Sequence, residues 1–185
     1  KSINQYFNKK RALLMSYIGN RGTSNRIGKL TLKRNCKVND YMHKASRFIV
    51  NYCIEHHIGT IVIGNNKDWK QNCNMGKRNN QNFVSIPFEK LISMIQYKSE
   101  EVGIRVVITE ESYTSKVDHY AGEEMCHHDS YLGKRIKRGL YRSSTGKILN
   151  ADLNGAIGIL RKVSHESYMQ VVSRGGVETP SRILM

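Results

Sequence analysis

The sequence predicts an α/β fold with a parallel β-α-β unit and a long insertion after its second strand. Two apolar runs, TIVIG (60–64) and IRVVITE (104–110), are typical of short buried strands. A strongly helical segment, 87–102, lies between them, with Pro87 in its first turn and Gly103 just past its end. This order normally forms a right-handed crossover between parallel strands. Two strands are too few for a stable sheet, so either the insertion and the tail contain more strands or this chain lacks some.

Two helices are predicted before the first strand. Segment 2–18 (SINQYFNKKRALLMSYI) has the spacing of a basic amphipathic helix. A Gly-, Ser- and Asn-rich stretch, 21–29, is typical of a connector. The second helix is expected to start at Asn39 or Asp40, either of which is a suitable cap, and to run to about His57.

The second half of the chain combines an irregular insertion with one clear helix. Residues 112–149 contain glycines and no sustained periodicity, which predicts a loop region inserted in the fold. A helix is predicted from about Asn150 to Val163. The tail after Ser164 has weak signals and receives no assignment.

The charge distribution indicates a polyanion as partner. Thirty Lys and Arg against fifteen Asp and Glu give a net charge of +15 on 185 residues. Residues 1–50 carry twelve bases and one acid, and 134–147 carry six bases and no acid, whereas 100–129 contain eight of the fifteen acids. Basic segments around an acidic centre suit an enzyme that grips phosphates and keeps carboxylates for metal. The alternative is a basic protein with solvated charged loops.

The sequence argues against a membrane protein and against a disulfide-stabilised protein. No apolar run approaches the roughly 18 residues of a membrane helix, so we expect no membrane partner. The four cysteines form no CxxC pair, which argues against a disulfide scaffold and for reduced thiols. We therefore expect a cytoplasmic, nucleoid-associated protein.

Two acidic positions are candidates for divalent-metal chemistry. Asp152 lies at the predicted start of the closing helix, where it either binds metal or caps the helix. Glu110 and Glu111 end the second strand, where parallel sheets place their sites, and only one of two adjacent side chains faces a shared site. Cleavage of a phosphodiester by divalent metal needs several convergent oxygen ligands. Glu111 and Asp152 are two candidates, and a third is not evident.

These features together resemble a known family, the transposon-encoded TnpB/OrfB proteins. The resemblance covers nearly the whole chain, in linked blocks that stand in the family's order: SINQYFNKKRA, NNKDWKQ, NQNFVSIPFEKLISMIQYKSEEVGI, EESYTSK and GKRIKRGLYRSSTGKILNADLNGAIGILRKV. It implies an RNA-guided DNA endonuclease related to type V CRISPR effectors. Its nuclease would be a RuvC-like domain of the RNase H fold with an Asp-Glu-Asp site for Mg²⁺ or Mn²⁺. The implied layout is 1–58 as basic helical segments of that domain, 59–163 as its core with the insertion 112–149, and 164–185 as a C-terminal tail.

The resemblance also suggests the catalytic residues. The last Asp of the family's Asp-Arg-Asp-x-Asn-Ala-Ala motif falls on Asp152, with Asn150 at the leading position. Many relatives place the catalytic Glu at the end of the first strand, which is Gly64 here. Other relatives, including the eukaryotic Fanzor proteins, carry it just before a Thr-Ser pair. That position falls on Glu111, with Glu110 as the weaker substitute.

The first catalytic Asp would precede Lys1, so an incomplete RuvC-like fold, the C-terminal portion of a nuclease, is expected. The leading hypothesis is a DNA endonuclease of a mobile element that cuts by two-metal hydrolysis, with DNA and, in the full-length protein, a guide RNA as partners. Without the first Asp, we expect the chain alone to be inactive. The alternatives are a nuclease-inactive nucleic-acid-binding remnant and a non-functional gene fragment.

A zinc site is not expected, although many relatives have a zinc ribbon after the second strand. That ribbon opens with Thr-Ser-Lys-x-Cys-x-x-Cys, whereas this chain has TSKVDHYA, with Asp118 and Ala121 in place of the thiols. Cys126, His127 and His128 form a compact trio, but a ribbon needs paired ligands from two knuckles.

Nucleic-acid contacts are expected from the second basic segment. The bases that would neutralise backbone phosphates are Lys134, Arg135, Lys137, Arg138 and Arg142. Trp69, beside Lys70, is as suited to stacking on a base as to packing.

Overall fold

The computed structural model describes residues 2–19, 22–66 and 86–174, and it confirms the α/β class. The helices are α1 (Ser2–Ile18), α2 (Asn25–Glu55), α3 (Phe88–Glu100), α4 (Ala151–Val163) and α5 (His165–Ser173). The strands are β1 (Thr60–Gly64), β2 (Arg105–Thr109), β3 (Lys134–Lys137), β4 (Leu140–Arg142) and β5 (Ile148–Asn150). The chain forms two compact units, a helical unit with α1, α2 and α3 and a mixed unit with all the strands, α4 and α5.

The predicted start of α2 at Asn39 or Asp40 is wrong. The helix begins at Asn25, and the side chain of Ser24 caps it by accepting a hydrogen bond from the Ile27 backbone N–H at 3.3 Å. Burial of Ile27 offsets the interior Gly28, which costs about 1 kcal/mol relative to alanine. Asp40 pairs with a lysine four residues later at 2.8 Å, so it supports the middle of the helix instead of starting it.

A buried lysine joins α3 to α2 in the helical unit. The ammonium of Lys98 donates hydrogen bonds to the carbonyl oxygen of His43 at 2.8 Å and to Ser46 Oγ at 2.7 Å. Burial lowers the pKa of Lys98, and the positive charge of Arg47 lowers it further. These contacts satisfy a charged group that is 4% exposed and fix how the two helices pack.

The mixed unit confirms the predicted parallel strand pair. β1 and β2 pair in parallel without a register shift, from Thr60 opposite Arg105 to Gly64 opposite Thr109. α4 packs against both strands and against α5, a helix in the tail that received no assignment. The ends of the two strands therefore meet at one edge, beside the helix that carries Asp152.

The prediction of a loop region over 112–149 is wrong in part, because the second half of this insertion forms a three-stranded sheet. β3, β4 and β5 form an antiparallel sheet in that order, with Gly139 at φ 78° in the turn between β3 and β4. Asn150 ends β5 and also caps α4, because its side-chain oxygen accepts from the Asp152 backbone N–H at 2.8 Å. The sheet thus runs into α4 without a loop.

None of the helices in the described ranges has the length and apolar character needed to cross a membrane.

Candidate functional site

The side chain of Glu111 lies over the end of β1. A Cβ atom built on Gly64 would collide with Glu111 Cγ, and it would lie 2.5 Å from Glu111 Oε1 and 2.7 Å from Ile159 Cδ1. With the Glu111 and Ile159 side chains in these positions, glycine at position 64 avoids a collision. Glu110, by contrast, is exposed. The structure therefore brings the carboxylate of Glu111, the end of β1 and α4 together.

The backbone around Glu111 is held from two sides. Asn66, just after β1, accepts a hydrogen bond from the Glu111 backbone N–H through its side-chain oxygen at 2.8 Å. Lys162 of α4 donates to the carbonyl oxygen of Glu110 at 3.0 Å and to Ser112 Oγ at 3.1 Å. Sequence analysis did not identify either positioning side chain. Asn66 had a usable signal, since it follows a strand whose carboxyl end meets that of β2.

Asp152 is an exposed residue in the first turn of α4. The capping role considered for it is filled by Asn150, and its carboxylate has no hydrogen bond or ion pair among the described side chains. Ile159, which packs at Gly64, lies seven residues further along α4, or about 10 Å along the helix axis. In the described ranges, no group of three or more His, Cys, Asp or Glu residues is arranged to hold a metal ion.

Asp118 forms a hydrogen-bonded cross-link inside the insertion. One carboxylate oxygen of this fully buried residue accepts from Ser143 Oγ at 2.9 Å, from the Ser144 backbone N–H at 2.7 Å and from Ser144 Oγ at 2.9 Å. The other oxygen accepts from the Ala121 backbone N–H at 3.3 Å. Glu123, also buried, accepts from the Asp118 backbone N–H at 2.6 Å. The segment that the family resemblance aligns with the first thiols of a zinc ribbon is therefore held by carboxylates.

Cys126 and His128 contact each other, with 3.3 Å between Sγ and Nε2, and the same ring nitrogen lies 2.8 Å from the carbonyl oxygen of Glu124. The ring of His127 instead packs edge-on against Tyr113. These contacts are local to the loop, and the absence of zinc here stays a prediction.

A buried histidine connects the insertion to α4. The Nε2 atom of His119 lies 2.7 Å from the carbonyl oxygen of Thr114, and a Cβ on Gly158 would collide with this ring nitrogen. Burial is the largest cause of a lowered pKa for His119. The hydroxyl of Tyr168 in α5 donates to the carbonyl oxygen of His119. This packing fixes the segment that leads from β2 to Asp118.

The predicted basic residues lie on the β3–β4 hairpin and its turn, and all are exposed. Lys134 stands opposite Arg142, and Arg135 stands opposite Tyr141. None of these bases has an ion-pair partner in the part of the chain that the structure describes. Trp69 and Lys70 lie outside the described residues, so their role stays a prediction.

Comparisons with known proteins match both halves of the chain. Residues 1–70 match the model of the OrfB family of IS605, described as "Probable transposase", and residues 88–159 match the Cas12f1-like TNB domain. A TnpB-like protein, ORF457 of the Acidianus two-tailed virus, is 32% identical over 107 residues, which cover 57% of this chain and 20% of that protein.

A solved structure shares the fold. It is the cryo-EM structure of a Cas12f1–sgRNA–target DNA complex, which matches with a TM-score of 0.58 at 20% identity, over 83% of this chain and 40% of the solved chain. The present chain thus spans about a fifth of the viral relative and less than half of the solved chain.

Proposed function

We propose that this chain, which belongs to the TnpB family, is part of a mobile-element nuclease. The nuclease would have a RuvC-like domain of the RNase H fold. It would cut DNA under the direction of a guide RNA. The observation that carries the proposal is the position of Glu111 over Gly64, at the carboxyl edge of paired parallel strands and against the helix that bears Asp152. Sites of α/β sheets lie at this edge. To this nuclease the chain contributes two acidic side chains, Glu111 and Asp152, and the basic surface of the β3–β4 hairpin.

Nucleic acids are the proposed partners. The Cas12f1 structure that shares the fold was solved with its sgRNA and target DNA. In the present chain, the exposed β3–β4 bases have no acidic partner among the described residues, so phosphates are the natural counter-charge. We assign DNA to this surface and a guide RNA to the whole protein.

Glu111 and Asp152 would each supply an oxygen ligand to Mg²⁺ or Mn²⁺, with Asp152 about 10 Å along the axis of α4 from Ile159, which packs beside Glu111. Both supply the hard oxygen ligands that these ions prefer, and neither carboxylate is engaged by a cation among the described residues. When bound, the metal would activate water and stabilise charge on the phosphodiester. The chain's residues do the positioning: Gly64 leaves room for the Glu111 side chain, while Asn66 and Lys162 hold its backbone. With two carboxylates, we expect millimolar affinity for these ions and no measurable cutting by this chain alone.

The test is DNA cutting by the natural gene product, purified with the RNA of its own element. Asp152→Asn and Glu111→Gln should each lower the cutting rate about a hundredfold or more, because loss of a ligand exceeds the effect of losing an outer-sphere partner. Nucleic-acid binding should stay within a few-fold, since the basic surface is unchanged. Glu110→Gln is the matched control and should keep cutting, because Glu110 is exposed. Full activity in the Asp152→Asn protein would overturn the mechanism.

A nuclease-inactive nucleic-acid-binding protein is the second candidate. It is favoured by the lack of any three-residue metal-binding group among residues 2–19, 22–66 and 86–174. This candidate would be supported if the natural gene product binds nucleic acid but does not cut it at any Mn²⁺ concentration.

A further inference from the structure

A cavity of about 400 Å³ lies between α1 and α2 in the helical unit, where the two helices pack against each other. We call it the α1–α2 cavity. Its volume is within the range of about 300–1,000 Å³ that is typical of small-molecule sites. Apolar side chains from both helices and three bases from α2 line it: Tyr6, Phe7, Leu30, Lys33, Arg34 and Lys37.

The three bases crowd positive charge into one part of the cavity. Lys33, Arg34 and Lys37 are spaced at i, i+1 and i+4, which is about 6 Å along the helix axis. Like charges four residues apart destabilise a helix. The sequence has no Asp or Glu before Asp40, so no carboxylate lines the cavity. A bound anion would therefore relieve the repulsion between these cations.

The middle base of the three is held in position. The Nε atom of Arg34 donates to Asn4 Oδ1 at 2.8 Å, and its Nη1 donates to Asn35 Oδ1 at 3.0 Å. Its guanidinium carbon also lies 5.9 Å from the centroid of the Phe7 ring, which is within the range of a cation–π contact. The position of this charge therefore exists before any ligand enters.

Tyr6 gives the cavity an accessible aromatic surface. This residue is 61% exposed, although it lines the cavity together with Phe7 and Leu30. Its ring thus presents a face on which a planar group can stack, and nucleobases stack on tyrosine in this way. The cavity consequently combines a surface for a planar ring with a surface for an anion.

The spacing of the cations favours a compact polyanion over a nucleic-acid strand. One strand of a duplex carries about one charge per 3.4 Å of axis, so only about two phosphates would lie along the roughly 6 Å that three cations occupy. A nucleoside triphosphate places its phosphates next to each other, and it carries a base for the aromatic part of the cavity.

We propose that the α1–α2 cavity binds a free nucleoside triphosphate, with its phosphates on Lys33, Arg34 and Lys37 and its base against Tyr6. The ligand would act as an effector, because no acidic side chain lines the cavity to hold a metal or activate water. The site uses no residue of the proposed nuclease, so the proposal goes beyond the proposed function.

The test is a titration of the full 185-residue chain with a ribose-labelled fluorescent ATP, followed by competition with unlabelled ligands. EDTA is present, so no metal links the nucleotide to Glu111 or Asp152. ATP should compete about tenfold or more better than AMP, the effect of losing one hydrogen bond between charged groups. It should compete about five- to tenfold better than inorganic triphosphate, the lower range for one base on an aromatic side chain.

Substitutions of exposed residues separate the phosphate contacts from the base contact. Lys37→Ala should weaken ATP and inorganic triphosphate alike, by about tenfold. Tyr6→Leu should remove the preference for ATP over inorganic triphosphate, whereas Tyr6→Phe keeps the ring and should retain most of it. Lys29→Ala is the matched control, because it removes the same charge from α2 at an exposed position outside the cavity walls. It should change ATP affinity by less than about twofold, since salt screens charges that do not contact the ligand.

Photolabelling locates the ligand without any substitution. The probe is 8-azido-ATP, whose reactive group is on the base, and it should label α1 at Tyr6 or Phe7 in the wild-type chain. Excess ATP should prevent the labelling, and excess AMP at the same concentration should prevent much less of it. Labelling confined to other segments of the chain would overturn the site.

Three further results would overturn the proposal: no binding of the labelled ATP, equal competition by ATP and AMP, or an equal loss of ATP affinity in Lys29→Ala and Lys37→Ala. A preference for ATP that persists in Tyr6→Leu would overturn the placement of the base. Stronger competition by rA10 than by ATP, at equal phosphate concentration, would overturn the assignment to a free nucleotide. None of these measurements involves DNA cutting, so the failure of this proposal is distinct from the failure of the proposed nuclease.

Discussion

The carboxyl side chain of Glu111 occupies the space above Gly64 that a side chain at position 64 would fill. Gly64 pairs with Thr109 at the end of the parallel ladder, and Glu111 follows two residues later. The side chain of Glu111 thus fills this volume at the sheet edge. The two positions are coupled, because a side chain at position 64 would have to displace the side chains of Glu111 and Ile159.

Gly64→Ala should therefore destabilise the mixed unit by about 1 kcal/mol, the lower end of the usual effect of overpacking, because the side chains that it meets are half-buried and can shift. The new methyl group would collide with Glu111 and with Ile159. Urea denaturation measures the change in the free energy of unfolding. Gly59→Ala is the control, since a Cβ there meets no atom within 4 Å, and it should change stability by less than about 0.5 kcal/mol.

The coupling itself is measured by the double substitution. Glu111→Ala removes the Cγ and carboxylate from the shared volume, so it should recover part of the loss in Gly64→Ala, with an interaction energy of about 0.5 kcal/mol or more. Strictly additive effects would show that the two side chains do not compete.

Asp118→Ala should destabilise the insertion strongly, by about 2–4 kcal/mol, because it removes a fully buried carboxylate that accepts four hydrogen bonds. Hydrogen exchange at the amide of Ser144 should quicken accordingly. Asp129→Ala removes an exposed acid from the same segment and should be nearly neutral. Equal stability of the two variants would contradict the cross-link.

A zinc chelator should leave the stability of the wild-type chain unchanged. The position that the family resemblance aligns with the first thiol of a zinc ribbon is Asp118, whose two oxygens are already engaged by hydrogen bonds. Thermal melting with and without the chelator is the measurement, and elemental analysis of the purified chain is its companion. The expectation would be contradicted if the purified chain contains stoichiometric zinc and the chelator lowers its melting temperature by a large amount.

The buried imidazole of His119 should make the protein less stable in mild acid. Burial lowers its pKa in the folded state below the ordinary value of 6.5, so the unfolded chain binds more protons as the pH falls below that value. Stability is fully present above pH 6.5 and decreases below it, by at most about 1.4 kcal/mol per pH unit from this group. In His119→Gln, the loss of unfolding free energy between pH 7 and pH 5 should be smaller. Identical losses in both proteins would exclude this role.

Binding to single-stranded DNA should weaken with salt in proportion to the phosphates that the hairpin neutralises. Replacing Arg135 and Arg138 by alanine should lower the slope of log affinity against log salt by about 1.4, since each contact on a single strand contributes roughly 0.7. The double lysine variant keeps both charges and should keep the slope. Fluorescence anisotropy over a salt series gives these values, and an unchanged slope in the alanine variant would show that neither arginine touches phosphate.

Local sequence patterns determined the parts of this protein that are built from neighbouring residues. β1, β2 and α3 were predictable because short apolar runs and the Pro87 and Gly103 punctuation act within a few residues of the chain. The same holds for α4, although the pattern did not show that Asn150, and not Asp152, caps it. The start of α2 was not predictable, because burial of Ile27 in the tertiary structure outweighs the local cost of Gly28.

The tertiary structure alone decided the features that join distant segments. β3 is short and highly charged and β4 has three residues, so they become strands only because they pair with each other and with β5. The Asp118 cross-link spans 25 and 26 residues, and Glu111 meets Gly64 across 47 residues of sequence. A sequence shows which residues can accept hydrogen bonds and which, like glycine, leave space for a neighbour. The residues that donate those hydrogen bonds or fill that space are determined by how the strands and α4 pack.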